Sequence, residues 1–218
     1  MNVAVIPLIE QMPSPEYDSS ELRHLSNVEH ARERPSLWLG TDDFSRSASC
    51  LARESFCLAI DEILAGRCTE LKVTVSPERF ALQHNGDCPN ATNIGADGKN
   101  EIESILTTRW ICQQRTNNEY VSNDVCKLSL PTVVFLSRTF EFHTFDGQKH
   151  WSIYYDRGES RDGLIAVGSS SKSGISFSFT PDADILGDTK FDNDELKSWF
   201  SQLPLPHEAF TVSWENAG

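Results

Sequence analysis

Residues 47–65 set Leu51, Phe56, Cys57, Ile60, Ile63 and Leu64 along one helical face, and Gly66 closes the run. A stripe of that kind has to be buried against a second layer. Four residues on, the period changes. Residues 70–75 alternate as Glu-Leu-Lys-Val-Thr-Val, and a second strand follows at 79–83. A long amphipathic helix running into alternating strands predicts helices packed on a sheet.

The other segments fit that scheme. Ser19 or Ser20 caps a helix running to about Arg34, where Pro35 stops it. Residues 101–113 are helical by pattern, with Ile102, Ile105, Leu106 and Trp110 on one side, and Pro131 opens a helix through Leu136. Strands at 138–145 and 148–155 are joined by Asp146-Gly147, a hairpin signal. Strands at 164–167 and 175–180, a helix at 193–202 and a strand at 209–214 complete the chain. The expected class is α+β: a two-layer sandwich with helices on one face of a mainly antiparallel, mixed sheet. Residues 1–16, with three prolines and no periodicity, read as an extended arm. Residues 17–218 read as one domain.

Composition narrows the function classes. The 218 residues hold 19 Lys+Arg against 32 Asp+Glu, a formal net charge of -13, which argues against broad contact with a phosphate backbone. No apolar run approaches the length of a membrane span. The six cysteines show no C-x-x-C spacing, so neither a zinc site nor a disulfide framework is expected, and Cys50 and Cys57 read as small core residues. These features lead us to expect a cytoplasmic protein.

The run Glu54-Ser55-Phe56-Cys57-Leu58-Ala59-Ile60-Asp61-Glu62 resembles the first motif helix of the GHKL ATPases, in particular the DNA gyrase B subunit. Residues 17–20 (Tyr-Asp-Ser-Ser), 28–40 and 68–75 match the family in order. So do Gly174-Ile175 with the strand that follows, the 195–200 helix and the 210–214 strand. The resemblance implies the Bergerat fold, with ATP and magnesium as the family's cofactors. It also implies a partner-crossing arm whose tyrosine, Tyr17 here, reaches the nucleotide of a second copy. Five aliphatic residues in the arm (Val3, Val5, Ile6, Leu8 and Ile9) favour docking, with a homodimer as one form and a topoisomerase-related or other protein partner as another.

Within that resemblance the chemical positions depart from the family. Glu54 keeps the place of the residue that polarises the attacking water. Leu58 stands where an Asn helps hold magnesium, and a leucine offers no oxygen to a hard cation. No metal ligand is therefore assigned. His84 replaces the Asp that reads the adenine amino group. Gly86 is retained, and Cys88 replaces the second glycine of that motif. A neutral imidazole has one acceptor nitrogen with which to receive an amino group, while a polar histidine in an ordinary strand-end turn is the plainer reading. The region 120–131 corresponds to the glycine-rich phosphate lid but holds no glycine, although the chain has 12. It carries Asp124, which adds negative charge, and Lys127 as a lone cation instead. Ile175 replaces the Thr of the Gly-Thr step. Glu54 then has a structural part to play, pairing with Arg53 or a neighbouring strand. Asp61 and Glu62 serve polar contacts and solubility.

Three functions follow as expectations. The first is a gyrase-B-like domain that has lost ATP hydrolysis, binds no cofactor and serves as an interaction or regulatory module. The second is an ATP-binding subunit of a topoisomerase-like system, which would need a transducer domain and a DNA-cleaving partner. The third is a binder of another small ligand in a cavity made more apolar by Leu58, Ile175 and Cys88, with His84 as its polar handle.

Overall fold

The computed structural model describes residues 23–108 and 128–217. The expected arm at 1–16, Tyr17, the helix cap at Ser19 or Ser20, and residues 120–127 of the lid all lie outside these. A seven-stranded sheet forms from β1 (Glu70–Val75), β2 (Phe80–His84), β3 (Ser137–Asp146), β4 (Lys149–Asp156), β5 (Ile165–Ser169), β6 (Ser173–Pro181) and β7 (Thr211–Asn216). Its order is β5-β4-β3-β6-β2-β1-β7. Each neighbouring pair is antiparallel except β1 and β7, which run parallel. The expected α+β class with a mixed, mainly antiparallel sheet holds.

Alternation decides which side of the sheet is buried. Phe80 and Leu82 of β2, Phe140 and Phe142 of β3, and Phe177 and Phe179 of β6 all face the core. Phe140 and Phe177 stack with ring centres 5.9 Å apart, and such pairs add roughly 0.5–1.5 kcal/mol beyond the area they bury.

The helices are α1 (Asn27–Glu33), α2 (Pro35–Leu39), α3 (Ser47–Ser55), α4 (Cys57–Leu64), α5 (Glu101–Thr107), α6 (Leu130–Phe135), α7 (Ala183–Leu186) and α8 (Asn193–Ser201). Ser26 caps α1 through a reciprocal capping box with Glu29. Pro35 ends one helix and opens the next, because a proline ring that blocks a continuing helix suits a first turn. The single helix expected at 47–65 is divided at Phe56, whose N–H bonds to the Arg53 carbonyl and tightens the turn. Phe56 is fully buried there, against Phe80, Trp199, Phe200 and Trp214. The helix pair is thus pinned to both β2 and α8. Among the described residues no helix is long and apolar enough to cross a membrane.

Candidate functional site

Glu54 lies near the C-terminal end of α3 and is 1 % exposed. Its carboxylate accepts two backbone hydrogen bonds, from Leu128 N–H to Oε2 and from Ser129 N–H to Oε1, both at 2.8 Å. Ser129 directly precedes α6. The anion therefore meets N–H groups at the entry of a helix, where the backbone favours negative charge. Ser129 holds φ 82 and ψ 144, a backbone state that glycine adopts freely and serine at a cost. Ser129 thus makes a glycine-like backbone turn with a serine side chain. The pairing expected between Glu54 and Arg53 does not form. Arg53 instead bonds Glu195 at 2.6 Å and lies over the Trp199 ring, because its place on α3 faces α8.

One turn beyond, Leu58 belongs to the hydrophobic core. Cys57 is buried in the core as the sequence reading expected, whereas Cys50 is only half-buried; Cys57 is also disulfide-bonded, which the spacing of the cysteines did not suggest. Asp61 and Glu62 are both buried, so they do not serve solubility as expected, although Glu62 does make the polar contacts expected of it. Burial pushes the Glu62 pKa up, yet it ends below the usual carboxylate value. The outweighing forces are the hydrogen bonds from Arg67, the Asp87 N–H and the Arg67 charge. The Arg67 guanidinium grips Glu62 at 2.7 and 2.8 Å, and Asp87 N–H reaches Oε2 at 3.0 Å. Gly86 is required at this crossing, since a Cβ there would sit 2.8 Å from the Glu62 Cβ. Glu62 thereby ties the end of β2 to α4.

His84 ends β2 on the core-facing side and is 3 % exposed, so it is not a polar residue of an ordinary turn. Burial lowers its pKa to about 4, against a smaller opposing effect of the Glu62 charge. The ring is accordingly neutral near pH 7. Its Nδ1 accepts from the Gly86 N–H at 3.1 Å, which puts the proton on Nε2. Nε2 is buried with no hydrogen-bond partner. The acceptor nitrogen expected to be free for an amino group is therefore occupied within the protein.

Ile175 pairs with His84 on one side and Thr144 on the other. All three are buried. Gly174, at φ +105, lets β6 approach β2 so closely that a Cβ would lie 1.9 Å from the His84 carbonyl oxygen. The buried Thr144 hydroxyl lies beside the Cys88 thiol, whose pKa burial raises while its hydrogen bond with Thr144 lowers it in part.

The described candidates fall into two groups: Glu54 and Leu58 on the consecutive helices, and His84 and Ile175 on the sheet with Gly86 just past the end of β2. Glu62 bridges between helix and sheet. Tyr17, Asp124 and Lys127 lie outside the described residues. Sequence reasoning missed Arg67 and Thr144. Arg67 had a signal in standing just past the stop at Gly66. Thr144 had none, because only strand register brings it beside Ile175.

Comparison with known proteins agrees with this architecture. No family model matches the chain. The DNA gyrase B subunit of Thermus thermophilus is 29% identical over 186 residues, covering 84% of this chain. The gyrase B subunit of Clostridium acetobutylicum is 26% identical over 90% of it, and the DNA topoisomerase 4 B subunit of Enterococcus faecalis 27% over 83%. The chain spans about 30% of these relatives' own length (29%, 31% and 27%). A crystal structure of the 43K ATPase domain of Thermus thermophilus gyrase B, in complex with an aminocoumarin, superposes with a TM-score of 0.72 at 25% identity. The match covers 88% of this chain and 49% of that one. The chain is thus a homologue of the B subunits of DNA gyrase and topoisomerase IV, and it carries the fold of the gyrase B ATPase domain.

Proposed function

We propose that this chain is a gyrase-B-like domain that has lost ATP hydrolysis, takes no magnesium nucleotide and acts as an interaction or regulatory module in the cytoplasm. One observation carries the reading: the Glu54 carboxylate accepts the N–H groups of Leu128 and Ser129. In the resemblance those amides belong to the phosphate lid and Glu54 to the water-polarising position. Here each engages the other, so an incoming phosphate would have to displace a buried carboxylate from its donors. The donor set around them suits a magnesium nucleotide poorly. Leu58 supplies no oxygen, His84 has its acceptor nitrogen engaged, and Ile175 has no polar side-chain atom.

The interaction role rests on kinship: the relatives are subunits of larger enzymes. A single domain over 17–218, with an arm at 1–16 that carries contact to a second copy or another partner through Tyr17, completes the proposal. Calorimetric titration with ATP and with a non-hydrolysable analogue, in excess magnesium, tests it alongside a phosphate-release assay. The expected result is no binding heat and no phosphate above the buffer rate. Micromolar affinity or turnover would overturn the reading.

A further inference from the structure

We propose that His143 and His150 form a binding site for one divalent transition-metal ion, on the side of the sheet turned away from the core. The site is remote from the residues that carry the function proposed above and stands or falls independently of it.

Strand register brings the pair together. Phe140 and Phe142 of β3 are buried in the core, so Glu141, His143 and Phe145 point to the opposite side. Phe145 is directly paired with His150 of β4, which sets His150 diagonally across from His143. The two imidazole centres are 5.0 Å apart, and His143 Nδ1 lies 2.9 Å from His150 Nε2. Phe145 stacks on the His150 ring at 4.5 Å and holds it in place.

Glu141 sets the chemistry. Its Oε1 lies 3.1 Å from His143 Nε2. The carboxylate charge keeps the ring proton on that nitrogen, which leaves Nδ1 bare and facing His150. A carboxylate on the far nitrogen is the arrangement that orients a metal-ligating imidazole and raises its basicity. Without an ion, His150 Nε2–H donates to Nδ1. A bound ion takes that proton's place and His150 carries its proton on Nδ1, so no net proton is gained or lost. Imidazole–metal bonds of about 2.0–2.1 Å meeting at a right angle set their nitrogens about 2.9 Å apart, which is the spacing present. A right angle suits tetragonal copper(II) or nickel(II). A small turn of each ring aims both lone pairs at the ion.

Among the described residues no three His, Cys, Asp or Glu side chains gather as a ligand set. The remaining coordination positions therefore fall to water. Room for it adjoins in a cavity of about 230 Å³, lined in part by Glu141, His143, Ser176 and Ser178. Lys172, 5.9 Å from the Phe145 ring centre, opposes a cation, while Glu141 and the net charge of -13 favour one.

Copper(II) chloride, titrated by calorimetry into the untagged full chain, tests the site, with electron paramagnetic resonance of the complex. The variants are His143→Asn combined with His150→Asn, and Glu141→Gln. The expected result is one ion per chain at a Kd of about 10 μM or tighter, with the splitting of two nitrogen ligands. The double variant should weaken binding at least about thirtyfold, and E141Q about tenfold, as loss of an orienting partner does. Without metal each variant should melt within about 4 °C of wild type, since these side chains lie outside the core. No binding at about 100 μM copper, two-nitrogen splitting that survives in the double variant, or an affinity unchanged by E141Q would overturn the inference.

Discussion

Glu54 and Ser129 face each other across 75 positions of sequence, carboxylate oxygen to amide nitrogen, at 2.8 Å. The contact joins the end of α3 to the entry of α6, and Leu128 N–H completes it on the other oxygen. A carboxylate with two backbone donors is a strong, charge-assisted acceptor fixed in place. This makes Glu54 a support for the following helix, a use that competes with presenting a carboxylate to a water molecule.

Replacing Glu54 with Gln tests that support. The amide keeps one oxygen and turns an NH2 group toward the remaining backbone donor. The expected loss is about 2–4 kcal/mol, seen as a lower urea midpoint at unchanged slope. A change below about 0.5 kcal/mol would mean that the carboxylate does not hold α6.

Ser129→Gly is expected to stabilise the protein. Glycine takes the observed φ of 82 without strain, and the unpartnered buried hydroxyl is removed with the side chain. The greater freedom of the unfolded glycine offsets part of the gain, leaving about 1 kcal/mol, or a melting temperature roughly 2–4 °C higher. Ser129→Ala separates the two contributions, because it removes the hydroxyl and keeps the strain. If alanine stabilises as much as glycine, strain is not the cause.

The fold was legible in the sequence wherever period and punctuation agreed. The alternation in 70–75, the Asp146-Gly147 turn and the Pro131 start each correspond to an observed element. The break at Phe56 was not legible, since its backbone stays near helical values and its cause is packing against Phe80, Trp199, Phe200 and Trp214. At the site, the loss of oxygen at Leu58 could be read from residue type alone. The roles of Glu54 and His84 could not, because they depend on which backbone amides the fold brings to them. Thr144 escaped for the same reason.

Arg67→Ala probes the buried Glu62. In the native protein the Glu62 carboxyl is held below its ordinary value, so its stabilising contribution is present above the unfolded carboxylate range and is lost as pH falls through the folded value. Without Arg67 the buried anion keeps the Asp87 N–H but loses its charge partner. Because the Arg67 side chain is 42% exposed, we expect a cost of about 1–3 kcal/mol at pH 7, below the range for a fully buried pair. The difference between wild type and R67A should shrink below about pH 4, as protonation neutralises Glu62. Urea midpoints measured from pH 3 to 7 give both numbers. A difference independent of pH would assign the effect to packing of the arginine stem.

His84 gives a pH signature of the same sign in a higher window. Its folded pKa of about 4 lies under the ordinary value of 6.5, so between those limits the unfolded chain binds more protons than the native one. Stability then rises with pH across that interval. The contribution is complete above about pH 6.5 and lost progressively down to about pH 4, amounting to about 3 kcal/mol at most. His84→Asn keeps an oxygen able to accept from Gly86 N–H and does not titrate, so its urea midpoint should follow wild type only in the part set by other groups. Subtracting the two curves isolates the histidine. Nitrogen NMR tests the tautomer separately: the wild type at pH 7 should show a proton on Nε2 and a bare, hydrogen-bonded Nδ1. A proton on Nδ1, or a difference curve that is flat from pH 4 to 6.5, would overturn the neutral His84 whose Nδ1 accepts from Gly86 N–H.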